Sequence, residues 1–307
     1  MCCPRPFTMR RILSLFVILG FAGLAGFWTL TRPVAVTDEQ VSGLTGDAEA
    51  GEAVFWAAGC ASCHAAERAQ GEDRLVLAGG QAFASDFGTF YAPNISSDPE
   101  HGIGAWTLAQ FLTALQNGVS PEGQHYYPAF PYTAYRLADR QDLADLFAFM
   151  ATLPASDTPS RDHDVGFPFS VRRTVGAWNL LHLSDDYVLP GEPDAVVARG
   201  RYLAEALAHC AECHTPRNAL GGLQRAAWMT GAPNPNGDGT IPPLTPDQLT
   251  WSEQDIANYL ADGFTPSFDS AGGHMASVIR NLANLPDQDR LAIAAYLKAL
   301  PPSAVAN

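Results

Sequence analysis

The chain has 307 residues, 47% of them hydrophobic and 16% charged, with 18 basic against 32 acidic side chains and a formal charge of −14. That length accommodates two domains of ordinary size, each with its own core. The acidic balance excludes nucleic-acid binding through a broad basic surface and favours a partner with a positive docking face.

At the N-terminus, Arg10 and Arg11 precede an unbroken apolar run from Ile12 to Leu30. At about 1.5 Å per residue this run nearly spans a ~30 Å hydrocarbon layer. Residues 1–31 therefore read as an export signal or a transmembrane anchor. Gly23-Leu24-Ala25 offers a small-x-small cleavage site, whereas continuation of the run through Trp28 to Leu30 favours an uncleaved anchor. With Arg5, Arg10 and Arg11 at one end, the positive-inside rule puts the N-terminus in the cytoplasm and the body on the periplasmic side of a bacterial membrane. A start at Met9 would remove Cys2 and Cys3. Without residues 1–31 the body keeps 15 basic and 32 acidic residues, a net charge of −17.

Beyond the apolar run the cysteines fall in two identical settings, "CASCH" at Cys60–His64 and "CAECH" at Cys210–His214. Cys-x-x-Cys-His is the attachment pattern of c-type haem. Two cysteines on one helical turn can form thioethers to the two vinyl groups, and the adjoining histidine falls under the iron as proximal ligand. Zinc would want the four thiolates in one site with the pairs far closer in sequence. A redox dithiol or a disulfide would not need the trailing histidine twice. The pattern thus predicts two covalently bound haem c groups, held by Cys60, Cys63, His64, Cys210, Cys213 and His214.

The two motifs belong to duplicated modules. His64 and His214 are 150 residues apart, and Trp106 matches Trp251 at an offset of 145, as Gly118 matches Gly263. Each tryptophan is followed by a helix-start signature, Thr107 with Gln110 and Ser252 with Asp255, the second using Asp where a capping box has Glu or Gln. Each of these helices stops at its glycine. A helix is predicted before each motif, over about 47–58 and 194–208, with Gly51 and Gly200 nine and ten residues before the first cysteine. A glycine there would let this helix cross the tail helix closely. The tail segments carry apolar residues at helical spacing, Leu143, Leu146, Phe147 and Met150 in one and Leu291, Ile293, Ala294 and Leu297 in the other. The expected fold is all-α, with two tandem domains at 46–156 and 193–307. Residues 157–192, with Pro159, Gly166, Pro168 and Pro190, read as a surface connector.

A haem of this kind commonly takes a methionine sulfur as second axial ligand, which raises its reduction potential. Met275, 61 residues beyond His214, is the candidate for the second haem; Met229, only 15 beyond, reads as packing. At the shared offset of 145 the counterpart of Met275 is Phe130, and a phenyl ring cannot ligate iron.

The stretches "APNISSDPEHGIGAWT", "GQHYYPAFPYTAY", "AHCAECHTPRNALGG" and "GFTPSFDSAGGHMASVIRN" carry a resemblance. They are similar, in order and over nearly all of the chain past residue 45, to the multihaem cytochrome c subunits of membrane-bound alcohol, sugar and gluconate dehydrogenases. Those subunits have three modules and this chain has two. The resemblance implies class I cytochrome c domains. It also implies a role in passing electrons from a periplasmic or membrane-bound dehydrogenase to quinone, a basic cytochrome or a terminal oxidase. The family's Pro-x-Met-Pro appears as Pro128-Ala129-Phe130-Pro131, a departure, while Met275 keeps the methionine of the second loop. The family's loop asparagine appears as Asn94, with Pro243 as its repeat counterpart.

Several further residues stand as candidates, the first three of them for the sixth position of the first haem. His125 is a sixth ligand only if its loop rearranges, with a propionate or surface contact as the other reading. Met150 reads as core and His101 as exposed. Arg217 suits a propionate or a surface role, and Tyr126, Tyr127, Tyr132 and Tyr135 read as walls of the crevice. "NPNGDG", Asn234 to Gly239, lacks the final glutamate of a calcium loop and reads as a turn. No flavin or pterin signature is present, so no activity is expected of the chain alone. The alternative is a dihaem peroxidase or small-ligand-binding enzyme with an open first haem, for which His125 would be the acid/base.

Overall fold

The structure, a computed structural model, describes residues 7–303 except Asn236 and Asp238. Arg5, Cys2 and Cys3 lie outside the described residues. Helix α1, Phe7–Leu30, projects from the body, and its apolar side chains from Ile12 to Leu30 are exposed. The chain then runs along the first module. Val36 is buried, its amide donates to Thr113 Oγ1 at 2.9 Å, and Asn117 Nδ2 donates to the Val34 carbonyl at 3.0 Å. Helix α2, Asp38–Val41, starts on a capping box from Thr37 and Gln40.

The first module holds α3 (Ala48–Ala58), α4 (Cys60–His64), a hairpin of β1 (Ala82–Ser85) and β2 (Gly88–Tyr91), α5 (Leu108–Asn117), α6 (Tyr132–Tyr135) and α7 (Arg140–Met150). Helix α8, Arg173–His182, lies in the connecting stretch. The second module holds α9 (Ala195–Arg201), α10 (Ala211–His214), a hairpin of β3 (Ala232–Pro233) and β4 (Thr240–Ile241), α11 (Glu253–Asp262), α12 (Gly273–Leu282) and α13 (Asp287–Ala299). The fold is helical as expected, with two small hairpins added in the loops that follow the histidines.

Local chemistry sets these elements. Asp47 and Asp194 cap α3 and α9, each accepting from two amides of the first turn. Thr107 and Ser252 form complete capping boxes, so Asp255 serves in the second as Gln110 does in the first. Both helices end on left-handed glycines, Gly118 and Gly263. The predicted close crossings are present. A Cβ at Gly51 would stand 2.0 Å from the Asp145 carbonyl oxygen of α7, and one at Gly200 would stand 1.8 Å from that of Ala292 on α13. Arg199 fixes the second crossing with a two-pronged bond to Asp289, at 3.0 and 2.8 Å.

The extra residue between Gly200 and Cys210 has a structural expression. The helix that continues from α9 widens into a π-helical segment, Tyr202–Leu207, which absorbs one residue without shifting either flank. The connecting stretch is more than a surface strap. Val175 of α8 is buried in a small cluster with Phe90 and Tyr127, and Asp164 bridges to Thr89 at the edge of β2. The prolines before residue 169 masked a short amphipathic helix behind them.

Candidate haem-binding sites

Each Cys-x-x-Cys-His motif forms one helical turn, α4 and α10, that presents free thiols. Desolvation pushes the Cys60 and Cys210 thiols up to about 12. Cys63 is pushed up to about 11, first by desolvation and then by Cys213 of the other motif.

Each histidine is aimed by a backbone acceptor. His64 Nδ1 lies 2.8 Å from the Pro93 carbonyl and His214 Nδ1 lies 2.7 Å from that of Pro242. A carbonyl only accepts, so Nδ1 carries the proton and Nε2 keeps its lone pair. Desolvation lowers both imidazole pKa values and holds the rings neutral, with the proline contact working in the opposite sense. Paired thiols beside an oriented, neutral imidazole with a free Nε2 are what covalent haem requires. The donor set fits it in both modules.

Hydrogen bonds establish the correspondence of the two distal loops. Tyr126 donates to Gly118 as Ala271 does to Gly263, Ser120 to Gln124 as Thr265 to Asp269, and Gly123 to Ser120 as Phe268 to Thr265. The bridge Val119 to His125 matches Phe264 to Ser270. Every pair is 145 residues apart, over 118–126 and 263–271, and the same offset in sequence pairs Phe130 with Met275. Met275 lies in the first turn of α12, half-buried against the core, rather than in a loop. The first module delays its helix to Tyr132 because Pro131 disfavours a helical Phe130 and Pro128 supplies no amide. Phe130 is half-buried among Tyr126, Tyr132 and Tyr135, with ring centroids at 5.7, 6.2 and 5.9 Å.

The other candidates fall as follows. Leu244 donates to Met229 as Ile95 does to Leu77, and Met229 and Leu77 are both fully buried, so Met229 packs where leucine packs in the first module. Met150 is buried on α7. His125 is buried with Nε2 2.9 Å from the Thr31 carbonyl, which occupies that nitrogen. His101 is half-buried and its amide donates to Asp98. Arg217 pairs with Glu212 of the second motif and donates to Gly221. Of the tyrosines, Tyr135 reaches the Ala58 carbonyl at 2.7 Å, Tyr132 reaches Asn179 at 2.7 Å, and Tyr127 turns away into the Phe90 cluster. Asn94 ties its loop to the Ser156 and Thr158 carbonyls, a bond that Pro243 cannot repeat. Asn234–Gly239 lies partly outside the described residues, between β3 and β4.

The modules meet through their own motifs. Ser62, inside the first motif, accepts from Asn281 of α12 at 2.7 Å, and Glu212, inside the second, accepts from Thr133 of α6 at 2.8 Å. His209, the left-handed residue that stands where Gly59 stands in the first module, packs on Tyr135 at 5.6 Å. None of this is visible in spacing alone. The proline carbonyls have no side-chain signature, and the letters between the cysteines look free to vary.

Two such sites, each in a helical shell with the same order of parts, define a dihaem c-type cytochrome. The cytochrome c family profile matches residues 48–154 and 197–301, and the chain belongs to that family, with two covalently bound haem c groups. It is 55% identical over 294 residues to a "Diheme cytochrome c-type" of Cereibacter sphaeroides, covering 95% of this chain and 99% of that one. It is 38% identical to the fructose dehydrogenase cytochrome subunit of Gluconobacter japonicus, over 81% of this chain and 51% of that subunit. It is 32% identical to the gluconate 2-dehydrogenase cytochrome c subunit of Pantoea cypripedii, over 95% and 65%. The chain thus spans about half to two-thirds of the length of these two dehydrogenase subunits.

Proposed function

We propose that the protein is an electron carrier on the periplasmic face of the bacterial cytoplasmic membrane, held there by α1, in which the two haems have unlike axial ligation. It takes electrons from a dehydrogenase and delivers them to a basic cytochrome, a quinone or a terminal oxidase. Haem c, when bound, supplies a one-electron iron couple. The chain's residues do the rest. Cys60 and Cys63, and Cys210 and Cys213, hold the groups. His64 and His214 present Nε2, aimed by Pro93 and Pro242. Met275 offers the second sulfur, while Phe130 leaves the first site without one.

The observation that supports this reading is the constant offset of the loop hydrogen bonds, which, carried on to the next residues, pairs Phe130 with Met275. A dehydrogenase donor is supported by the relatives named as fructose and gluconate dehydrogenase subunits. An acidic body favours a basic acceptor. The peroxidase reading is weaker because His125, its acid/base, is engaged by Thr31.

An EPR-monitored redox titration of the full chain tests the proposal. Two distinct iron signals with separate potentials are expected, one of them of His/Met type. Two equivalent low-spin His/Met signals would sink the asymmetry, and steady-state peroxide turnover with a reduced cytochrome would sink the electron-carrier role.

A further inference from the structure

The exit of α1 from the body is a built joint. Thr31 is 2% exposed and its carbonyl accepts from His125 Nε2 at 2.9 Å. Arg173, at the start of α8, donates to Thr31 Oγ1 at 3.0 Å and to the Trp28 carbonyl, with its guanidinium 4.5 Å from the centre of the Trp28 ring. Gly176 comes so close that a Cβ there would stand 2.4 Å from the Thr31 carbonyl oxygen. Arg172 stacks on Tyr127 at 3.9 Å and donates to the His125 carbonyl at 3.0 Å.

Immediately before these arginines, the loop 166–171 turns apolar side chains outward. Phe167 is 86% exposed, and Phe169 and Val171 are each 43% exposed. The loop is braced. Ser170 donates to Gly166 at 3.0 Å and Val171 to Pro168 at 3.2 Å. Tyr127 donates to the Phe169 carbonyl at 3.0 Å, and the Phe169 ring meets Phe87 edge-on at 4.9 Å.

We propose that this loop is a second membrane contact, with Phe167 at its tip entering the outer interfacial layer of the bilayer that α1 spans. The occupant is a lipid surface because the loop is continuous with the joint. From Ile12 to Trp28 the helix rises roughly 24 Å, which sets Trp28 at the outer interface where such rings reside. Arg173 is bonded to that residue, and Phe167 lies six positions before Arg173 in a closed turn. Charge agrees. In a body of net charge −17, the exposed Arg32 and the half-buried Arg172 and Arg173 stand at this joint, where positive charge favours anionic headgroups. Two fixed points, a helix and a wedge, would set the tilt of the haem modules over the membrane.

The inference rests on retention of α1 in the mature chain. An intact mass lacking that segment in membrane-purified protein would overturn it, independently of any electron-transfer result. The full chain with both haems is placed in nanodiscs of phosphatidylethanolamine and phosphatidylglycerol, with Phe167→p-benzoylphenylalanine as the photoprobe. The same probe at Val171 is a second test position, and at Val196, exposed on α9, the control. Irradiation is expected to give several-fold more lipid adduct, by mass spectrometry, at 167 and 171 than at 196. Equal yields would overturn the proposal, including the case in which a protein partner covers the loop.

Discussion

At the repeat offset of 145 Phe130 falls opposite Met275, and the two differ in the property on which the proposed asymmetry turns, a lone pair able to reach iron. The ring of Phe130 fills its place with edge and tilted contacts to three tyrosines, which makes the substitution a packed feature of the first site. Phe130→Met is expected to convert the first haem to low-spin His/Met ligation and to raise its potential toward that of the second. Optical and EPR spectra check this, and unchanged spectra would mean that another group already occupies the position. Met275→Ala should remove the His/Met signature of the second haem and leave the first unaffected. The two Cys-x-x-Cys-His motifs were legible in the sequence, and the duplication supplies the comparison on which the Phe130 proposal rests. The aiming of His64 and His214 was not, since a proline carbonyl contributes through its backbone and many chain positions could have provided one.

At the scale of elements, the two glycine crossings were readable and the π-helical segment only half so. Gly51 and Gly200 signalled close approach by residue type. Their unequal distances from the cysteines signalled an insertion, without saying whether a loop or the helix would take it up. Gly51→Ala and Gly200→Ala each force a methyl into a carbonyl of the tail helix and should cost at least about 1–3 kcal/mol. Gly43→Ala, with nothing within 4 Å, should stay within about 0.5 kcal/mol. Thermal unfolding of the three variants distinguishes them.

The π-helical segment also buries Glu205, whose carboxylate accepts from the Val188 and Leu189 amides and the Tyr296 hydroxyl. Desolvation raises its pKa, partly offset by those donors. An acid with a raised folded pKa binds its proton more tightly when folded. Its contribution to stability is therefore greatest below the unfolded value of about 4.3 and declines as pH rises through the folded value. Glu205→Gln should flatten that decline, as read from urea midpoints across a pH series. Helix α8 is not legible in the sequence for a different reason: it is short, follows a stretch punctuated by prolines, and packs on Phe90 and Tyr127 far away in sequence.

For the whole molecule, the decisive feature is that each module touches the other through the interior of its haem motif. The bonds Asn281 to Ser62 and Thr133 to Glu212 are near-equivalent halves of one interface. Hydrogen bonds of this kind contribute about 0.5–1.5 kcal/mol each. A double-mutant cycle of Ser62→Ala and Asn281→Ala should return a coupling in that range, and additive effects would mean that the modules are not docked this way in solution. Two helical domains and their cofactors could be read from the sequence. Their mutual arrangement could not, because it depends on residues whose type carries no motif.

That arrangement bears on how the two halves of the duplication can diverge. The residue before the second cysteine, nominally a free letter in Cys-x-x-Cys-His, is here read by the opposite module. A substitution at Ser62 removes a bond to the opposite module, and one at Glu212 removes both a bond to that module and the pairing with Arg217 of its own. The two halves of the duplication are therefore not independent at these positions, although each lies inside its own motif.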